Sequence, residues 1–303
     1  MRLRFAEQTC PANPHPQGGR GVRRRCAFTL VELLVVMGVI AVLATVTLVS
    51  VRAITDSARL SSATNTVMAA LDNARALAMK KNTIVLVVFR ARFEGNNKQI
   101  VEVVTAKWTG ESYLNGSLVI DRFVPIPDVP IRGLSTGVKV AAPLYGLNQD
   151  DMWVTQVHLP AIDPQTPLGP PSERPGAMIG VMYGPDGTSL TRNSQSDSNQ
   201  FYVDFNNDTF QRQHTSESNY FDYDFITLFP PSDYFDQRFE GDEPFVASAP
   251  FVAVFDDDSA REIRATDWTN QADYEQELTG PLGYITQFAD RIHFNRYTGV
   301  AMK

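Results

Sequence analysis

Two hydrophobic patterns divide the first eighty residues. From Phe28 to Val51 (FTLVELLVVMGVIAVLATVTLVSV) the run is apolar on every side, and Glu32 is its one charge. As a helix it would be roughly 36 Å long, enough for a hydrocarbon core of about 30 Å. From Arg52 the apolar positions narrow to a stripe. Leu60, Ala63, Val67, Leu71, Ala74 and Ala78 recur in three- and four-residue steps, with Arg52, Asp56, Arg59, Asn65 and Asp72 largely between them. No Pro or Gly interrupts the span from Val39 to Thr83. The pattern predicts one helix from about Phe28 to about Lys80, stopped at Lys80-Lys81-Asn82, with cations at the negative end of its dipole.

Beyond Asn82 the period shortens to two. Thr83–Phe93 is rich in β-branched residues, and after Glu94-Gly95-Asn96-Asn97 the stretch Gln99–Trp108 alternates, which predicts a hairpin. Further strands are expected at Ser117–Phe123, Met152–Leu159, Ala177–Tyr183, Gln200–Phe205, Phe225–Phe229, Phe251–Phe255 and Arg291–Asn295. One long helix followed by many strands is an α+β layout, with the helix covering an antiparallel β-rich head. The expected organisation is 1–27, 28–51 as a transmembrane or filament-core helix, 52–80 as its amphipathic continuation, and 81–303 as the head.

Charge separates the first segment from the rest. The whole chain has 27 Lys+Arg against 34 Asp+Glu, a net −7. Residues 1–27 hold Arg2, Arg4, Arg20, Arg23, Arg24 and Arg25 against Glu7, a local +5, together with six Pro or Gly and both cysteines, Cys10 and Cys26. Without them the remainder carries −12 and no cysteine, which excludes a disulfide scaffold and disfavours nucleic acid as the main partner. An Arg cluster just before an apolar run places the N-terminus in the cytoplasm. A secretory signal peptide would need a shorter apolar run and a small-x-small cleavage site. A plain single-pass anchor fits the length but leaves Glu32 unexplained, because a carboxylate in an apolar span normally has a partner.

The stretch Arg23-Arg24-Arg25-Cys26-Ala27-Phe28-Thr29-Leu30-Val31-Glu32-Leu33-Leu34 resembles the N-terminal motif of type IV pilins and pseudopilins. The resemblance implies a basic leader cut between Ala27 and Phe28 by a prepilin peptidase. It also implies N-methylation of Phe28, an inner-membrane helix with the head outside the cytoplasm, and assembly with other pilin or pseudopilin subunits. Glu32 would pair with the cationic amine of Phe28 and set axial register, since a buried carboxylate needs a positive partner. The family usually has Gly where this chain has Ala27, so cleavage is expected to be slower.

Two further stretches resemble the H-type minor pseudopilin group: Gly180-Val-Met-Tyr-Gly-Pro-Asp-Gly-Thr188, a strand running into a turn, and Ile292-His-Phe-Asn-Arg-Tyr-Thr-Gly-Val-Ala301, a closing hairpin. They imply a structural subunit of a type II secretion system or a minor pilin, not an enzyme. The alternatives are a minor pilin that captures DNA and a plain anchored binding protein. For DNA capture the C-terminal cations Arg291, Arg296 and Lys303 are few.

Candidate chemistry is sparse. Asp204, Asn206 and Asp208 have the i, i+2, i+4 spacing that opens a calcium loop, but Thr209 stands where a Gly would help and no spaced Glu follows. A polar turn is the plainer expectation. Asp256-Asp257-Asp258 could help bind Ca2+, with an acidic loop as the plainer expectation. His158, His214 and His293 lack metal-ligand spacing, and no HExxH, Gly-x-Ser-x-Gly or phosphate loop is present. The aromatic stretch Phe201–Phe255 reads either as a partner-binding face or as core with solvated acids.

Overall fold

The computed structural model describes residues 30–94, 98–115, 118–143, 153–156, 176–192, 200–211, 236–237, 241–266, 273–295 and 298–303. The chain divides into two compact units, Met1–Val51 and Arg52–Lys303.

Helix α1 runs Leu30–Lys81. It ends at Asn82, which adopts φ 48°, a left-handed cap that Asn tolerates, and Thr83 N donates back to Ala78 O at 3.2 Å. The strands are β1 Val85–Glu94, β2 Lys98–Asn115, β3 Leu118–Pro125, β4 Arg132–Gly133, β5 Val138–Pro143, β6 Trp153–Thr155, β7 Gly176–Ala177, β8 Ile179–Tyr183, β9 Ser189–Leu190, β10 Gln200–Val203, β11 Asp236–Gln237, β12 Ala247–Ser248, β13 Phe251–Asp256, β14 Asp290–Phe294 and β15 Ala301–Met302. Between β13 and β14 lie α2 (Asp257–Arg264), a π-helical turn (Tyr274–Thr279) and α3 (Tyr284–Phe288).

Two main sheets form. One has the order β10-β3-β2-β1-β8-β12, with β4 on β2 and β9 on β8; the other has the order β15-β14-β13-β5-β6. The expected hairpin is present, with Val85 opposite Lys107 through Glu94 opposite Lys98. The head is not wholly antiparallel as expected: β10 pairs with β3, and β12 with β8, in parallel. A bulge between Trp108 and Ser112, where Gly110 takes φ 86°, lets β2 run on to pair with β3 beyond its expected end. The strand at Ser117–Phe123 is realised as β3, and that at Met152–Leu159 contributes β6. Phe225–Phe229 lies outside the described residues.

Three cores explain why so many strands read as unbroken apolar runs: both faces of each sheet are covered. Val85, Val87 and Phe89 of β1, Val138 and Val140 of β5, and Val252 and Val254 of β13 turn to one side, where they join Ala63, Val67, Leu71, Ala74 and Ala78 of α1. The helix stripe expected from spacing is thus the buried one. Leu86 and Val88 turn to the opposite face with Phe123, Met182 and Phe201. Ala253 and Phe255 turn away from α1 toward Ala260, Tyr274, Leu278 and Ile285, so the three short helical segments form the lid of the second sheet. None of these segments has a long periodic pattern in the sequence.

Candidate functional site

The first candidate is the N-terminal stretch. Ala27 and Phe28 lie outside the described residues, as does the side chain of Glu32. The described side chains from Leu30 to Thr45 are exposed, among them Leu30 (81%), Val31 (69%) and Leu34 (65%). Among the described residues no helix is long and apolar enough to cross a membrane. Apolar exposure on this scale is unusual for a water-facing surface.

The second candidate is the turn after β10. It places Asp204, Asp208 and Glu243 with one carboxylate oxygen each within 4.8 Å of one another. Sequence spacing supplied Asp204, Asn206 and Asp208; Glu243 comes from a distant segment and was not foreseen. The donors around Asp204 show what the cluster does. Its Oδ1 accepts from Asp208 N at 3.1 Å, and its Oδ2 accepts from Thr209 N at 2.9 Å and from Arg122 Nε at 2.9 Å. Arg122 also donates to Asn207 Oδ1 at 2.8 Å and pairs with Glu111 at 2.7 Å. Glu243 Oε1 accepts from Phe205 N at 2.8 Å.

Asp204 is fully buried and the Arg122 side chain nearly so. The guanidinium therefore supplies, on Asp204 Oδ2, the positive charge that a metal would bring. The turn backbone is bent to suit, with Asn207 at φ 59° and Thr209 at φ 74°; the latter is a strained value for a β-branched residue. This geometry suits a closed polar turn better than a calcium loop. Arg122 had a signal in the sequence, as half of the charged pair Asp121-Arg122 inside the apolar run of β3. Asp121 in turn pairs with Arg192.

The third candidate, Asp256-Asp257-Asp258, is not the acidic loop expected. Asp256 ends β13 and caps α2, accepting from Ser259 N at 2.8 Å, and Asp257 and Asp258 form the first helical turn. Acids there meet the positive end of the helix dipole. Asp257 pairs with Arg261 at 2.9 Å. Arg59 of α1 reaches the same cluster: it lies 3.5 Å from Asp256 and from Asp258, 3.3 Å from Asp56, and donates to Thr136 O. Gly137, at φ 85°, has no room for a Cβ because Arg59 and Asp258 occupy that space. The acidic triple is thus one side of a joint between α1 and the head.

The two local stretches that resembled a pseudopilin head meet. The turn at Gly184 closes with Gly187 N donating to Gly184 O at 2.9 Å, and the hairpin at Asn295 closes with Gly299 N donating to Asn295 O at 2.7 Å. A Cβ on Gly299 would collide with the carbonyl oxygen of Gly187, and Arg75 Nε of α1 donates to that same oxygen at 3.2 Å. Thr188 donates through N and Oγ1 to Asp186 Oδ1, which holds that carboxyl below its ordinary range.

Of the remaining candidates, His293 is exposed and stacks on Phe251 at 4.8 Å, while His158 and His214 lie outside the described residues. Arg291 donates to Thr286 O and Lys303 pairs with Asp290, so two of the three C-terminal cations are engaged; Arg296 lies outside the described residues. Phe201, Tyr202, Phe245 and Phe255 are buried core. Tyr220, Phe221, Tyr223, Phe225, Phe229, Tyr234 and Phe235 lie outside the described residues.

Compared with known families, residues 22–48 match the prokaryotic N-terminal methylation motif. The match covers the Arg cluster, Ala27-Phe28 and Glu32. No curated protein and no solved structure matches the chain.

Proposed function

We propose that the chain is a type IV pilin-like structural subunit, a minor pseudopilin of a type II secretion system or a minor pilin of the H-type group. The single observation that carries this reading is the methylation motif at residues 22–48, placed directly on an exposed apolar helix. In this reading prepilin peptidase removes 1–27, and Phe28 is N-methylated. The helix then holds the subunit in the inner membrane, with the head outside the cytoplasm, until it packs against other subunits. Glu32 pairs with the amine of Phe28, so that packing has a preferred register. The head performs no catalysis and needs no cofactor.

The mature N-terminus tests it. Mass spectrometry of the protein from cells with a prepilin peptidase should find an N-methylated Phe28. A chain that retains residues 1–27 in such cells overturns the reading. Glu32→Ala should insert in membranes normally and enter filaments poorly; normal incorporation removes the role given to Glu32.

A further inference from the structure

Lys139 lies on β5 in one sheet and is buried, at 4% exposure. Its Nζ donates at 2.9 Å to Gln99 O and at 2.9 Å to Gln99 Oε1, on β2 of the other sheet. The second amide group of that side chain, Gln99 Nε2, is buried and has no hydrogen-bond partner among the described residues. A buried amine thus donates to the oxygen of an amide whose nitrogen has no partner among the described residues. Leaving such a nitrogen orphaned is unfavourable, and its departure would remove the penalty.

We propose that Lys139 and Gln99 form an intramolecular isopeptide bond that ties β2 to β5. The Nζ lone pair attacks Gln99 Cδ, the Nζ–Cδ bond forms and the Cδ–Nε2 bond breaks. One amine proton passes to Nε2, which leaves as ammonia. No oxidation state changes and no co-reactant enters. The observed contact is to Oε1, so the Gln99 side chain must shift about its Cα–Cβ or Cβ–Cγ bond, or the Lys139 side chain about its own bonds, to bring Nζ within the ~3–3.5 Å of Cδ that a near-attack geometry needs. Burial lowers the Lys139 pKa to about 8, which supplies the neutral amine the step needs. The charges of Asp257 and Asp258 reach Lys139 and oppose the lowering by burial, while that of Arg261 adds to it. The bond would close a long loop across two sheets in a head that lacks cysteine, and would restrict the unfolded chain as a disulfide does.

Intact mass and tryptic mapping of the full-length chain, purified in detergent and denatured, test this. The expected result is a mass lower by one ammonia and a branched peptide joining Gln99 to Lys139, both absent from Lys139→Arg and Gln99→Met. An unshifted mass, or a loss that persists in Lys139→Arg, overturns it. A pH arm is independent of mass. A free Lys139 with a folded pKa of about 8 and an ordinary value of 10.5 leaves the unfolded state holding more protons between them, so stability would rise with pH there. An amide does not titrate, so the wild type should track Lys139→Met from pH 8 to pH 10. A rise seen only in the wild type overturns the proposal.

Discussion

The turn at Asp204–Asp208 and the strand end at Asp256–Asp258 look alike in sequence, and each has one arginine brought to it from a distant part of the chain, Arg122 to the first and Arg59 to the second. They differ in where that arginine comes from and how much water it keeps. Arg122 sits within the β-sheet itself and is nearly buried, as is its partner Asp204. Arg59 comes from α1, keeps 30% of its side chain in solvent, and spreads over three carboxylates and a carbonyl. The first pairing holds a strained turn closed. The second joins a helix to a sheet and exchanges part of its strength with water and salt. Acidic clusters of one composition thus serve local rigidity in one place and the attachment of an element in another.

That contrast can be broken in order of size. Arg122→Ala should be the most damaging change, costing about 3–5 kcal/mol in denaturant unfolding, because it strands the buried Asp204 charge. Replacing Arg122 and Asp204 together by apolar residues of similar size should recover most of the loss; no recovery would mean that the turn depends on the ion pair itself. Asp256→Ala should cost about 1 kcal/mol from the lost α2 cap, with local loosening visible by hydrogen exchange at Ser259. Arg59→Ala should cost less than about 1 kcal/mol, and the difference from wild type should shrink as salt is raised. A salt-independent loss would place the effect in packing instead. Least of all, adding calcium or a chelator should leave the melting temperature unchanged at both clusters. A calcium-dependent rise abolished by Asp208→Asn would reinstate the first as a metal site.

How much was legible follows from how local each signal is. The helix stripe from Leu60 to Ala78 and the β1–β2 hairpin depend on contacts set by spacing and a short turn, and both are visible in the sequence. β5 was missed because Val138–Pro143 is short, follows Gly137 and ends on a proline, and its antiparallel neighbour β6 is separated from it by nine residues rather than by a tight turn. The parallel pairs of β10 with β3 and β12 with β8 join strands far apart in the chain, and no local pattern encodes such a register. The same limit governed the sites. Asp204 and Asp256 could be found by counting, but their meaning lay in Arg122, Glu243 and Arg59, which only folding brings to them.

The meeting of Gly187 with Gly299 has a consequence for descent. Any side chain at Gly299 displaces the carbonyl of the other turn, and both glycines hold positive φ, at 80° and 67°. The two positions should therefore be inherited as a unit. In a set of related sequences they would both stay glycine, or both be lost along with Arg75, giving a three-point signature by which distant relatives of this head can be recognised even when the strands between have diverged.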